Sequence, residues 1–251
     1  MTLYTKEIKS LQHPIVKHLV KLRKERRYRL EKESLLLEGK KMIFEYRGPI
    51  EFLLMTKESS IPDHLQSKQI LLVTPEIIEK ISGTQSPEPY LAEVPLPSSS
   101  NLEKKRHLLA LDGVSDPGNV GTLIRTALAL GFDGVFLTKN SADPFMNKAL
   151  RAAKGATFHL PIQIGTEEDL AILIKENDLT PYIADGKGSS KTLLTSPLIL
   201  ILGNEANGPS KILKALGQLI SIPIANETES LNVAVAGGIL MNKFQETLWP
   251  R

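Results

Sequence analysis

The segment LDGVSDPGNVGTLIRTALAL, residues 111–130, contains the pattern that decides the fold of the C-terminal part of this chain. An apolar run ends at Leu111, a polar loop with Pro117 and Gly118 follows, and an apolar helical pattern begins near Asn119. We expect Asn119 to cap this helix and Gly131 to end it. A strand that leads through a Gly/Pro turn into a helix is the unit of an α/β fold. Ligands of such folds bind at the carboxyl ends of the strands.

The same strand-then-helix pattern recurs to the end of the chain. The predicted strands are His107–Asp112, Gly134–Thr138, His159–Ile164, Pro181–Ala184, Leu198–Leu202 and Leu219–Ile222. The predicted helices are Asn119–Leu130, Pro144–Ala153, Glu167–Glu176, Pro209–Leu216 and Asn232–Thr247. Alternation at this density predicts a mostly parallel sheet with helices on both faces.

The N-terminal part has the pattern of a smaller α/β module. A basic helix is predicted after Pro14, and the further elements are predicted at Ser34–Glu38, Lys40–Tyr46, Glu51–Thr56, Gln69–Thr74 and Pro75–Ile81. The Pro- and Ser-rich stretch 86–101 is expected to be exposed. We therefore predict an N-terminal domain over 1–97, a linker over 98–106 and a C-terminal domain over 107–251.

The composition excludes several classes of protein. The chain has no Cys, which excludes disulfides, thiolate nucleophiles and Cys-based zinc sites, and its five His residues have no metal-ligand spacing. No apolar run reaches the length of a membrane span, and the N-terminal residues lack the apolar core of a signal peptide. A cytoplasmic protein without a metal ion or a membrane segment is expected.

The net charge is only +3, but positive charge is concentrated in one segment. The residues from which we predict RNA binding are Lys17, Lys21, Arg23, Lys24, Arg26 and Arg27, and Arg29 and Lys32 extend the same cluster. A basic patch raises affinity for a phosphate backbone without reading sequence and makes that affinity strongly dependent on salt. The alternative is a solvated helix face, which is commoner for a charge run taken alone.

Two further segments place polar residues after a strand, as residues 111–130 do. In the first of them, LILILGNEANGPS (198–210), the strand is followed by Gly203, Asn204, Glu205 and Gly208. In the second, ISIPIANETESLNVAVAGGI (220–239), Ser230 and Asn232 precede a helix of small residues. Each polar residue has a plain structural interpretation, as a helix cap or as a surface partner of an ion pair. A phosphate-binding loop is excluded, because Asn119 and Val120 stand where Lys and Ser or Thr are required.

Taken together, the three segments resemble the signature motifs of the SpoU (TrmH-like) RNA ribose 2′-O-methyltransferases, members of the SPOUT superfamily. The matching residues, Asn119, Arg125, Gly203, Glu205, Ser230 and Asn232, occur in the family's order. The resemblance covers most of 107–247 and extends weakly into the N-terminal part. One departure is Asn226, where many members have Gly.

The resemblance implies a C-terminal parallel-sheet domain with a trefoil knot, preceded by a smaller RNA-binding domain. It implies a homodimer whose active sites are built from both subunits, with helix Asn232–Thr247 as a contact surface. S-adenosylmethionine is the implied cofactor. The residues expected to bind it are Leu202, Gly203, Asn204, Gly208, Ile222, Ser230 and Leu231.

The implied reaction is attack by a ribose 2′-oxygen on the activated methyl group of the cofactor. Arg125 is the implied catalytic residue, and a guanidinium with a pKa above about 12 suits stabilisation of the developing alkoxide better than a role as base. Asn119 and Ser230 are expected to position ribose or phosphate, and Glu205 and Asn232 to orient Arg125 and the loops. A separate basic domain favours ribosomal over transfer RNA as the substrate. Methylation of a base, or an inactive RNA-binding relative of this fold, are the alternatives.

Overall fold

The computed structural model describes residues 4–57, 59–225 and 230–248 of the chain. Two compact units are present. One comprises Met1–Ser98 with Phe145–Arg151, and the other comprises Ser99–Pro144 with Ala152–Arg251. The first unit therefore includes a short piece of the C-terminal half, which nothing in the sequence pattern predicts.

The first unit is built on a mixed sheet with the strand order β1-β4-β3-β5-β2. Its strands are β1 (Tyr4–Ile8), β2 (Ser34–Glu38), β3 (Ile50–Met55), β4 (Ser67–Val73) and β5 (Tyr90–Pro95). Its helices are α1 (Pro14–Lys24), α2 (Arg26–Lys32), α3 (Lys40–Glu45) and α4 (Pro75–Ser82). The apolar face of α1 is buried at Val16, Leu19 and Leu22.

The prediction that residues 86–101 form an exposed linker is wrong. Strand β5 lies within this stretch and pairs antiparallel with both β2 and β3. Leu91, Ala92 and Val94 are fully buried, so this apolar run outweighs the flanking prolines, and Pro95 takes the last strand position, where it is tolerated. Within residues 98–106, Leu102 is fully buried in the second unit. The sequence pattern also gave no sign of β1.

The second unit has a parallel sheet with the strand order β11-β9-β10-β6-β7-β8, which confirms the predicted fold class. Its strands are β6 (His107–Asp112), β7 (Gly134–Thr138), β8 (Ile162–Gly165), β9 (Thr180–Ser189), β10 (Leu198–Gly203) and β11 (Gln218–Ile220). Its helices are α5 (Pro117–Ala129), α7 (Glu167–Glu176), α8 (Lys211–Lys214) and α9 (Val233–Leu248). Helix α6 (Asn147–Ala153) belongs to the first unit up to Arg151.

Most predicted boundaries shift by a few residues, and three elements differ more. The strand predicted at Pro181–Ala184 is longer, because β9 continues to Ser189. The predicted strand His159–Ile164 begins only at Ile162, because a short 3₁₀ helix, Ala156–Phe158, precedes it. The predicted helix Pro209–Leu216 shortens to α8, where Ser210 caps the first turn by accepting a hydrogen bond from the Leu213 N–H at 3.3 Å. Capping chemistry therefore overrides the proline signal at this position.

The strand order brings the first two motifs together. Strands β6 and β10 are neighbours in the sheet, with Gly203 beside Asp112, so the loops that follow them leave the same edge. From β6 the chain builds outward through β7 and β8, then crosses to β9 on the other side of β10. Such a change of direction is where open α/β sheets bind ligands. The sheet order does not establish the trefoil knot, which stays a prediction of the resemblance.

Residues 4–57, 59–225 and 230–248 contain no helix long and apolar enough to cross a membrane. The same residues contain no group of three or more His, Asp or Glu side chains placed to hold a metal ion.

Candidate active site

Helix α5 begins two residues earlier than the sequence predicts, which changes the role of Asn119. Asp116 is the N-cap, because its carboxylate accepts a hydrogen bond from the Asn119 N–H at 2.9 Å and Pro117 takes the first helical position. The expected capping role of Asn119 is therefore wrong. Its side chain is left to bind other groups. An acid directly before a proline is the sequence signal that could have identified Asp116 as the cap.

Glu205 connects the second motif to the first. One carboxylate oxygen accepts hydrogen bonds from the Ser115 N–H at 3.0 Å and the Ser115 hydroxyl at 2.8 Å. The other accepts from the Asp116 N–H at 3.3 Å and from the Asn119 side-chain amide at 3.0 Å. Glu205 is therefore not merely a capping acid of the helix that follows it. Its carboxylate holds the loop between β6 and α5.

Asn232 connects the third motif to the same group of residues. Its side-chain oxygen accepts hydrogen bonds from the N–H groups of Ala234 at 2.9 Å and Val235 at 3.3 Å, so it does cap helix α9. Its amide nitrogen also donates to the side-chain oxygen of Asn119 at 3.1 Å. The chain of contacts Glu205–Asn119–Asn232 therefore joins all three motifs.

The hydrogen bonds to Glu205 alter its ionisation. Partial burial on its own raises the pKa of this carboxyl group, but hydrogen bonds from the Ser115 N–H, the Asn119 amide and the Ser115 hydroxyl outweigh that effect. Together they lower the pKa of Glu205 from 4.5 to about 2. Glu205 is therefore an anion that accepts hydrogen bonds at every physiological pH.

We expect the stabilising effect of Glu205 to disappear in acid. Because the folded-state pKa is depressed, its contribution to the free energy of unfolding is fully present above 4.5 and is lost as the pH falls from there through about 2. The free energy of unfolding, measured with urea, should differ more between the wild type and Glu205→Gln at pH 6 than at pH 3. An equal difference at the two pH values would show that the carboxylate charge is not responsible.

A cleft of about 350 Å³ opens beside these contacts, within the range of small-molecule sites (about 300–1,000 Å³). Its walls come from the ends of β9 and β10, the segment after β11 and the start of α9. All residues predicted to bind the cofactor line it, namely Leu202, Gly203, Asn204, Gly208, Ile222, Ser230 and Leu231. The structure thus gathers this predicted set in one place.

The cleft has the chemistry of a small-molecule site. Its apolar walls include Ile220, Ile224 and Leu240, and loop backbone supplies donors and acceptors. Asn204 shapes that loop. Its amide donates to the Gly113 carbonyl at 2.9 Å, and its oxygen accepts from the N–H groups of Ala206 and Asn207. The departure noted at Asn226 lies outside the described residues.

Sequence reasoning missed two charged residues of this cleft. Asp185 follows the predicted strand Pro181–Ala184, so its position at the carboxyl end of a parallel strand could have indicated it. Lys214 lies on the short helix α8, and no sequence signal pointed to it.

Arg125 forms no hydrogen bond with the other predicted catalytic residues in the described part of the chain. It is exposed on helix α5 and does not line the cleft of its own chain. Within the described part of the chain it makes no hydrogen bond or ion pair. Within a single chain, the hydrogen bonds of Glu205 go to the loop between β6 and α5 and to Asn119, and Asn232 also donates to Asn119. These two side chains therefore hold the loops, and an orienting effect on Arg125 stays a prediction.

The basic segment of the first unit is partly surface and partly structure. Lys17, Lys21, Lys24, Arg26 and Arg27 are exposed. Arg23 is half-buried, and that burial lowers the pKa of its guanidinium.

Arg29 differs from the rest of the cluster. It is only 3% exposed and donates to the Leu22 carbonyl at 2.7 Å at the end of α1. Arg29 therefore stabilises a helix end and is not part of a phosphate-binding surface.

Comparison with known proteins agrees with this arrangement. Residues 106–242 match the model of the SpoU rRNA Methylase family, and residues 13–92 match that of an MRM3-like substrate binding domain. The chain is 31% identical to the 23S rRNA (guanosine(2553)-2′-O)-methyltransferase RlmP of Bacillus subtilis, over 94% of this chain and 98% of that protein. It is 29% identical to a 23S rRNA (adenosine(1067)-2′-O)-methyltransferase of Streptomyces azureus, over 92% of each.

A solved structure is similar over nearly the whole chain. The AdoMet-bound rRNA methyltransferase from Sinorhizobium meliloti superposes with a TM-score of 0.83 at 28% identity, covering 98% of this chain and 99% of that one. Both compact units therefore have counterparts in a single known protein.

Proposed function

We propose, from the premise that this chain belongs to the SpoU rRNA methylase family, that it transfers a methyl group from S-adenosylmethionine to a ribose 2′-hydroxyl of ribosomal RNA. The observation that carries the proposal is the chain of hydrogen bonds Glu205–Asn119–Asn232, of which Glu205 lines the cleft. These contacts join three sequence-distant motifs beside one ligand-sized site, which helix capping alone does not require.

The cleft is the proposed cofactor site. The sulfonium of S-adenosylmethionine already activates the methyl group that is transferred. The protein must therefore bind the cofactor, align it with the ribose and exclude water from the site. Gly203 and Gly208 would hold the cofactor through backbone groups, while Leu202, Ile222 and Leu231 would pack against it. Ser230 is exposed at the same cleft, where its hydroxyl is available to ribose or phosphate.

Arg125 is the proposed stabiliser of the reacting ribose. A guanidinium stays protonated, so it would donate hydrogen bonds to the developing alkoxide and to the neighbouring phosphate, which takes up the hydroxyl proton. Asn119 would position the nucleotide, because Glu205 and Asn232 fix its side chain from two sides.

A homodimer is proposed because Arg125 does not line the cleft of its own chain. Helix α9 packs on α5, the helix that carries Arg125, and presents Val235 and Ile239 with 52% and 45% of their surface exposed. Leu240 and Phe244 of the same helix are buried in the core of the unit. The proposed dimer contact therefore uses Val235 and Ile239, and Arg125 of one protomer serves the cleft of its partner.

Ribosomal RNA is the proposed substrate class because the relatives described above are named for 23S rRNA. The exposed cations of α1 and α2 would bind its phosphates. Transfer RNA is the alternative substrate class.

Mapping of 2′-O-methyl groups in total RNA, with and without the gene, tests the proposal. One ribosomal ribose should lose its methyl group on deletion and regain it with the wild type but not with Arg125→Ala. A methyl group found on a base, or on transfer RNA alone, would contradict the proposal.

A further inference from the structure

Outside the three motifs, two charged side chains line the cleft. Asp185 lies in β9, and Lys214 is the last residue of α8. The other charged residue of the lining is Glu205, whose two oxygens are already occupied by Ser115, Asp116 and Asn119. Among the described residues, Lys214 is therefore the only cation that the cleft offers to a ligand.

The ammonium group of Lys214 has a defined position. It lies 2.7 Å from a carboxylate oxygen of Asp185, and the other oxygen of Asp185 accepts a hydrogen bond from the Lys187 N–H at 2.8 Å. The two side chains are only 33% and 13% exposed. The same ammonium is 3.6 Å from the point that a Cβ on Gly208 would occupy. Asp185 thus holds Lys214 beside the loop over residues 204–208. Water screens the charge of this ammonium group less there than at an open surface.

The charges of the proposed cofactor complement this arrangement. S-adenosylmethionine carries a positive sulfonium, a positive ammonium and one negative group, the carboxylate of its methionine part. A buried carboxylate requires a hydrogen-bonding or charged partner, since leaving it unpaired is costly. The single cation of the cleft matches the single anion of the ligand.

We propose that Lys214 binds the carboxylate of the methionine part of the cofactor and that Asp185 is the positioning residue that directs it there. This inference rests on the proposed function, since it assumes that the cleft binds S-adenosylmethionine. It assigns to α8 and to the end of β9 a role that the three motifs do not contain.

Calorimetric titration with two ligands tests the proposal on the full-length protein. S-adenosylhomocysteine has the carboxylate, whereas 5′-methylthioadenosine keeps the nucleoside and sulfur but lacks the amino-acid part. Lys214→Met should weaken binding of S-adenosylhomocysteine about tenfold and leave binding of 5′-methylthioadenosine unchanged, because only the first ligand loses a charged partner. Asp185→Asn should weaken binding of S-adenosylhomocysteine less, again without an effect on 5′-methylthioadenosine.

Two matched variants control for folding and for general electrostatics. Lys214→Arg keeps the positive charge and should bind S-adenosylhomocysteine within about threefold of the wild type. Lys211→Met removes an exposed cation from the same helix that does not line the cleft, and it should change neither affinity.

The outcomes separate this inference from the proposed function. Equal weakening of both ligands by Lys214→Met would show that Lys214 only shapes the cleft and would overturn the inference. Unchanged binding of both would overturn it as well. If the wild type bound neither ligand, the proposed cofactor site itself would be refuted.

Discussion

Replacing Arg125 by Ala is expected to lower the rate of methyl transfer by at least about 10²–10³-fold, the effect typical of removing one donor that stabilises a developing oxyanion. Binding of S-adenosylhomocysteine should remain close to that of the wild type, because Arg125 is exposed on α5 and does not line the cleft of its own chain. Single-turnover transfer of a labelled methyl group to ribosomal RNA, together with calorimetric titration of the cofactor product, measures both quantities.

The control for this variant is Thr122→Ala on the same helix. Thr122 is also exposed. The Thr126 hydroxyl donates a hydrogen bond to the backbone carbonyl of Thr122, and the substitution retains that carbonyl. We expect Thr122→Ala to keep most of its activity. If Arg125→Ala transferred methyl groups at the wild-type rate, the proposed role of this guanidinium would be wrong.

Replacing Gly203 by Ala is expected to weaken cofactor binding at least tenfold. A Cβ at this position would lie 2.0 Å from the Pro209 nitrogen and 2.2 Å from the Gly208 carbonyl carbon. Both atoms belong to the backbone, so the loop over residues 204–208 must move, and that loop lines the cleft. Overpacking of this kind costs about 1–3 kcal/mol of folding free energy. Calorimetry should show at least a tenfold loss of affinity for S-adenosylhomocysteine, and urea unfolding a lower stability.

Gly186 provides the matched control, because it lines the same cleft and a Cβ there would meet nothing within 4 Å. Gly186→Ala should bind S-adenosylhomocysteine almost as the wild type does and should unfold at the same urea concentration. Equal effects of the two substitutions would mean that the close approach at Gly203 is not what preserves the site.

The two inactive variants together test the proposed dimer. If Arg125 serves the cleft of the partner, a heterodimer of Arg125→Ala and Gly203→Ala contains one complete site, and mixing the two proteins should restore part of the activity. If every active site were contained in a single chain, the mixture would stay inactive.

Local sequence determined the fold class and the identity of the motifs. Periodicity and turn chemistry are set by neighbouring residues, so the parallel strands of the second unit and the helices between them were predicted with small errors. The polar residues that follow β6, β10 and β11 were visible for the same reason, and the family that they resemble is the family whose model the chain matches.

Tertiary structure decided what those residues contact. The local sequence does not predict strand β5, because the strands with which it pairs, β2 and β3, lie far away in the sequence. The contacts of Asn119 with Glu205 and Asn232 depend on β6 and β10 being neighbours, and the contact of Lys214 with Asp185 depends on β9 lying beside β10. A sequence pattern specifies which face of a strand is buried, but strand order is settled by long-range packing of the whole sheet.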